Sequence, residues 1–230
     1  MRHILLSIPA MLLVFGCTAP EKPATASDST TDTRPENAPA PLPSQDSPDD
    51  WRMGDSLMAT MGNLQGKVVA DLFAGDGYYT WKLLGAGARV LALDDDPANL
   101  VALKARKQAE HIGDDRLIIR ATTPGVVGLL PNEADYALIT REVSTLGDRP
   151  NWFAQLFSGI KPPTTIYVVN FHPGESPVGP PLNQRMSYET AQSELNTYGF
   201  TDVGVLYKKI PYRYIMFARV AQDTPEQPGE

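Results

Sequence analysis

Apolar positions along the chain fall into short blocks separated by glycine, proline and acidic residues, and the blocks carry two different periods. Lys67-Val-Val-Ala-Asp71-Leu is an apolar, β-branched run ending near an acid, and Arg89-Val-Leu-Ala-Leu93 repeats the pattern before Asp94-Asp95-Asp96. Both read as buried strands. Residues 117–121, 134–139 and 165–169 supply a third, fourth and fifth strand. Helical spacing lies between them: Pro97 opens a helix through Leu100 and Leu103 towards His111, with Gly113 as its stop, and Trp152 to Phe157 forms another that ends near Gly159. Leu57, Met58 and Met61 place one helix between Trp51 and Leu64, ahead of the first strand. Apolar strands alternating with helices imply a parallel sheet covered on both faces. At the C-terminal end the order changes. Ser187 to Tyr198 is a helix closed by Gly199, and residues 200–208 and 212–220 are strands joined by Lys209-Ile210-Pro211, as in an antiparallel hairpin. The expected fold is α/β: a three-layer sandwich with a seven-stranded, mostly parallel sheet and a C-terminal antiparallel hairpin.

The two ends lack this patterning. Met1-Arg2-His3 is a short positive lead, Ile4 to Phe15 is mostly apolar, and Gly16-Cys17 follows. The apolar run is too short to cross a membrane and suits the core of a signal peptide. Gly16-Cys17 resembles the lipobox of bacterial lipoproteins, which implies cleavage after residue 16 and lipid on Cys17; an uncleaved anchor or an ordinary secretory signal are the alternatives. Thr18, rather than Asp, after the lipidated cysteine points by the same resemblance to the outer membrane, on the periplasmic face of the cell envelope. Residues 17–50 are rich in Pro, Ala, Ser, Thr and Asp and almost devoid of large apolar side chains. Such a segment buries too little to offset its ordering entropy and reads as a disordered tether, reaching on the order of 30 Å as a coil. Residues 51–221 are then one domain, and the tail from 222 onward is frayed.

Composition removes several function classes. A net charge of −7 with few basic clusters argues against nucleic-acid partners. One cysteine and three histidines, one of them in the signal segment, leave no disulfide and no cysteine- or histidine-rich metal centre. Neither a P-loop nor a G-x-S-x-G elbow is present.

Chemistry concentrates after the first two strands. Asp71-Leu-Phe73-Ala-Gly75-Asp76-Gly77 is a strand end, a tight turn and a helix start, where glycines admit unusual φ values and the helix N-terminus favours an anionic or zwitterionic ligand. Asp94, with Asp95 beside it, ends the next strand, the usual position for a carboxylate facing ribose hydroxyls. A dinucleotide fingerprint would need a third glycine where Thr80 stands. The combination of Asp71, Gly75, Gly77 and Asp94 resembles the class I S-adenosylmethionine-dependent methyltransferases. Together with Lys161-Pro-Pro and the Asn170-Phe-His172-Pro-Gly-Glu175 segment, it resembles a bacterial group of predicted small-molecule methyltransferases related to quinone-methylating enzymes. The resemblance implies S-adenosylmethionine as cofactor, with Asp71, Phe73, Gly75, Asp76 and Gly77 towards its methionine half and Asp94 and Asp95 towards its ribose. Phe73 stands where many relatives have glycine. Arg120-Ala-Thr-Thr-Pro124 replaces an adenine-facing acid, and Thr140-Arg141-Glu142-Val-Ser144 replaces a segment that is often histidine-rich.

Methyl transfer relies on alignment and sometimes on a base. His172 and Glu175, after the fifth strand, are the candidate bases; solvated loop residues are their plainer reading. Two functions follow: a methyltransferase for a small-molecule acceptor near a membrane, or an exported methyltransferase fold that serves as a ligand-binding or structural lipoprotein.

Overall fold

The computed structural model describes residues 47–220. The expected signal segment with Cys17, nearly all of the tether and the tail from 222 lie outside the described residues. The chain runs α1 (Pro48–Arg52), α2 (Gly54–Met61), β1 (Val68–Leu72), α3 (Tyr78–Gly85), β2 (Arg89–Asp94), α4 (Pro97–Ala109), β3 (Leu117–Ala121), β4 (Ala134–Ile139), α5 (Arg149–Gly159), β5 (Ile160–Phe171), α6 (Tyr188–Thr197), β6 (Thr201–Ile210) and β7 (Arg213–Val220).

The strands form one seven-stranded sheet in the order β3-β2-β1-β4-β5-β7-β6. β1 to β5 run parallel, and β7 is antiparallel to both β5 and β6. The expected hairpin is therefore present, with its second strand inserted against β5 and its first at the edge. Alternation along each strand serves two cores. Ala70 and Leu72 of β1 face the side covered by Trp152 and Phe153 of α5 and Leu195 of α6, while Val69 faces Leu57 of α2, Leu83 of α3 and Leu103 of α4. Asp71 has the parity of Val69, so its carboxylate emerges beneath α3.

Helix starts follow their capping residues. Asp96 accepts the Ala98 N–H at 2.8 Å with Pro97 at the first helical position, and Ser187 caps α6. Three expectations shift. The single helix expected from Trp51 breaks at Met53, whose φ of +42° divides α1 from α2. Helix α1 also begins at Pro48, before the expected boundary at 51, because Asp49 accepts the Tyr78 hydroxyl and pairs with Lys82 of α3. Finally, β5 extends on both sides of residues 165–169, since β7 pairs with it from Thr164 to Phe171.

Among the described residues, no helix is long and apolar enough to cross a membrane, and no group of three or more His, Cys, Asp or Glu side chains is placed to hold a metal ion.

Candidate active site

The strand order reverses between β1 and β4, and at such a point the connections leave in opposite directions and open a crevice at the carboxyl ends of the strands. Asp71, Asp94, Ile139 and Phe171 all lie at this edge.

Asp71 is fully buried and accepts a 2.6 Å hydrogen bond from the Thr80 hydroxyl of α3, while its Oδ1 has no partner among the described residues. Burial pushes its carboxyl up to about 7, against the opposing effect of the Thr80 bond. Thr80, read from the sequence as a missing glycine, is thus the side chain that fixes Asp71. The two glycines of the turn have different tasks. A Cβ on Gly77 would lie 2.7 Å from both Leu103 and Trp81, and its φ is +81°, so this glycine is required by packing and backbone. A Cβ on Gly75, with φ +56°, would have only the Phe73 carbonyl oxygen nearby, at 3.9 Å. Gly75 is the position where the turn backbone stays open.

Asp94 is 1% exposed and braces this turn from the next strand: Oδ2 accepts the Gly75 N–H at 2.7 Å, and Oδ1 accepts the Asp96 N–H at 2.8 Å and the Asn99 amide at 3.1 Å. A carboxylate offers about four lone-pair sites, so roughly one remains for a ligand.

Other predicted contacts are engaged differently. Asp76 points to the outer rim, where it pairs with Arg52 of α1 at 2.7 Å. Phe73 adopts φ +65°, stacks on Trp152 at 5.8 Å between ring centroids, and carries the Arg141 guanidinium 3.8 Å above its ring. Arg141 in turn grips Asp95 through two hydrogen bonds of 2.7 and 2.6 Å, which hold the Asp95 carboxyl below the usual carboxylate range. An ion pair therefore spans the crevice from the residues after β4 to the end of β2, directly over the residue that replaces glycine.

The segment after β4 is pinned to β5. Asn170 accepts the Val143 N–H and donates to the Arg141 carbonyl, and Glu142 accepts the Phe171 N–H at 3.0 Å. Burial raises the Glu142 carboxyl to about 7. Arg213 of β7 lies opposite Phe171 in the sheet and packs against Trp51 and Phe171. Trp51, Arg141, Glu142, Phe171, Pro180 and Arg213 line a cleft of about 550 Å³ beside the Phe73 site.

His172 and Glu175 do not line this cleft. His172 lies against the β6–β7 hairpin, its ring 6.0 Å from that of Tyr207, and burial followed by the nearby Arg185 lowers its pKa. Glu175 is exposed beside the proline-rich loop. The sequence reading missed Glu142 and Arg213, although an acid three residues past the end of a buried strand carries a signal related to that of Asp94.

This architecture has known counterparts. A SAM-dependent methyltransferase from Aquifex aeolicus superposes with a TM-score of 0.68 at 17% identity, over 76% of this chain and 95% of that one. The fold is that of the class I S-adenosylmethionine-dependent methyltransferases. A possible exported protein from Bordetella parapertussis superposes on this chain with a TM-score of 0.59 and 17% identity over 74% of this chain and 67% of that one. No family model matches the chain. A tRNA U34 carboxymethyltransferase from Photobacterium profundum is 36% identical over 66 residues, 29% of this chain and 20% of that protein. The chain thus spans about a fifth of the length of the curated relatives it matches.

Proposed function

We propose that the chain is an S-adenosylmethionine-dependent methyltransferase for a small-molecule acceptor, held in the cell envelope by lipid on Cys17. The observation that supports the cofactor most strongly is Asp71. Its Oδ1 is buried, without a partner among the described residues, at the carboxyl end of β1, where the Gly75 turn follows. A buried carboxylate oxygen left in this state is costly unless a ligand group satisfies it, and a cationic amino group does so best. Asp71 and the Phe73–Gly75 backbone would hold the amino acid half of S-adenosylmethionine, and Asp94 would offer its remaining lone pair to the ribose. When bound, the cofactor supplies an electrophilic methyl group on a sulfonium. The protein's own share is alignment, water exclusion and a place for the acceptor's proton.

Envelope anchoring is supported by the charged lead, the short apolar run and Gly16-Cys17. The acceptor side is open at the cleft between Glu142 and Arg213.

One observation favours a second reading, a non-catalytic lipoprotein built on this fold. The Arg141–Asp95 pair lies across the crevice above Phe73, so a ligand crossing there must displace it. Export would also carry the domain away from the compartment where the cofactor is made.

Thermal unfolding of the full chain with and without S-adenosylmethionine separates the two. Ligand at about a hundredfold over Kd adds roughly 3 kcal/mol of stability, a rise of roughly 6–12 °C for a domain of this size. An unchanged midpoint would leave the second reading standing.

A further inference from the structure

The cleft beside Phe73 holds two charged groups that the fold does not satisfy. Glu142 is 6% exposed; its Oε1 accepts the Phe171 N–H, and its Oε2 has no partner among the described residues. Arg213 is 7% exposed; one terminal nitrogen donates to the Tyr79 hydroxyl at 3.2 Å, and its Nε has no partner among the described residues. The two are near enough to influence each other's ionisation, yet no hydrogen bond joins them. Each is a buried polar atom whose desolvation is uncompensated, the condition that a bound polar group relieves.

Charge and shape narrow the ligand. Arg213 and Arg185 lie 4.3 and 5.0 Å from the Phe171 ring centroid, and neither is paired with a carboxylate among the described residues. Arg185 is spent on the carbonyl oxygens of Gly174, Val178 and Pro180, which leave its charge uncompensated. Arg141, by contrast, is neutralised by Asp95. Arg185 lies outside the cleft lining, so among the described residues the lining itself sets one cation without an ion-pair partner, Arg213, with one such acid, Glu142. Its walls are aromatic, with the rings of Trp51 and Phe171 5.9 Å apart.

The geometry points to a binding site for an aromatic molecule carrying both a carboxylate and a hydroxyl: Arg213 Nε receives the carboxylate, and Glu142 Oε2 accepts the hydroxyl hydrogen. The carboxylate completes the Arg213 donor set, and the ring lies along Trp51 and Phe171. Because burial places the Glu142 carboxyl near neutrality, its deprotonated form is available to hold that hydrogen at physiological pH. The site's role as the methyl acceptor's seat rests on the methyltransferase reading; its capacity to bind does not.

The test is calorimetric titration of the full chain, without cofactor, using the three hydroxybenzoate isomers, benzoate and phenol. At least one isomer binds about tenfold tighter than either benzoate or phenol, the difference expected from one hydrogen bond to a charged group. The same isomer quenches tryptophan fluorescence, and Trp51→Phe removes the quenching. Glu142→Gln abolishes the preference for the hydroxylated ligand and leaves benzoate affinity unchanged, whereas Arg213→Gln weakens all the carboxylates about tenfold. If Arg213→Gln does not fold, Glu142→Gln and Trp51→Phe decide alone. Equal affinity for benzoate and every isomer, no binding by folded protein, or equal loss of both ligands in Glu142→Gln would overturn the assignment. A parallel titration with S-adenosylmethionine separates the two proposals. Hydroxybenzoate binding without cofactor binding keeps this site and removes the methyltransferase reading; the reverse result removes this site alone.

Discussion

Asp94 at the end of β2 and Glu142 just past β4 are both buried carboxylates at the same edge of one sheet, and their surroundings differ in kind. Asp94 accepts three hydrogen bonds from its own chain, which tie the Gly75 turn to the start of α4. Glu142 accepts one from the protein and leaves its second oxygen buried and unmatched, close to an equally unmatched Arg213 Nε. The β1–β2 half of the edge is therefore self-braced, with Asp71 Oδ1 as its one buried side-chain atom without a partner among the described residues, and the β4–β5 half is polar and short of partners. Satisfied acids shape a site, whereas unsatisfied ones mark where its ligands make contact.

The largest effect that sharpens this contrast belongs to Asp71. Its folded-state pKa is raised to about 7, so the folded protein keeps a proton that the unfolded chain releases near pH 4. The unfolded state then binds fewer protons between these values, and this group lowers stability as pH climbs from about 4 through 7. Asp71→Asn is expected to raise stability at pH 8 by roughly 1–3 kcal/mol and to flatten the pH dependence in that window, while weakening S-adenosylmethionine binding roughly 10–100-fold. Denaturant melts at pH 5 and 8, with a binding isotherm, check all three. A variant both less stable at pH 8 and unimpaired in binding would show that Asp71 is a scaffold residue.

Gly77→Ala acts on the same half through packing and backbone strain. Its new Cβ would press on Leu103 and Trp81 at a φ of +81°, and overpacking of this kind costs roughly 1–3 kcal/mol. Thermal melting should fall by several degrees. Gly75→Ala, with no close neighbour beyond the Phe73 carbonyl, should lose less stability and more ligand affinity.

Arg141→Ala probes the bar between the halves. The Arg141 side chain is 36% exposed, so the pair with Asp95 is worth at most about 1 kcal/mol after solvent screening. Removing it should tighten S-adenosylmethionine binding up to about fivefold if the pair must open, as a titration would show. Weaker binding would instead make Arg141 a ligand contact. The smallest effect is expected outside the contrast: His172→Ala and Glu175→Ala should each change turnover by less than about twofold, since neither lines the cleft of Glu142 and Arg213. Loss of activity in either would return the base to the loop after β5.

The strands were legible because β-branched apolar runs ended in Asp and Gly, and the same punctuation located Asp71, Gly75, Gly77 and Asp94. These residues are close in sequence or sit on matching strand ends, so spacing alone brings them together. Trp51, Glu142 and Arg213 come from the first helix, a loop after β4 and an antiparallel strand. Only the insertion of β7 beside β5 sets Arg213 against Phe171, and no local pattern encodes that neighbour. The brace made by Asp94 was also invisible, because it depends on hydrogen bonds to the backbone of a turn 19 residues earlier. Likewise, prolines and glycines after β5 suggested an ordered rim, but not that His172 would face Tyr207 and the hairpin.

The most direct measurement is calorimetric titration of the purified full chain with S-adenosylhomocysteine, alongside Asp71→Asn and Arg141→Ala. Micromolar binding by the wild type, lost in Asp71→Asn and strengthened in Arg141→Ala, is the expected result. No heat of binding from a folded wild-type chain and a folded Arg141→Ala variant would contradict the methyltransferase reading and leave a protein that keeps the fold without its cofactor.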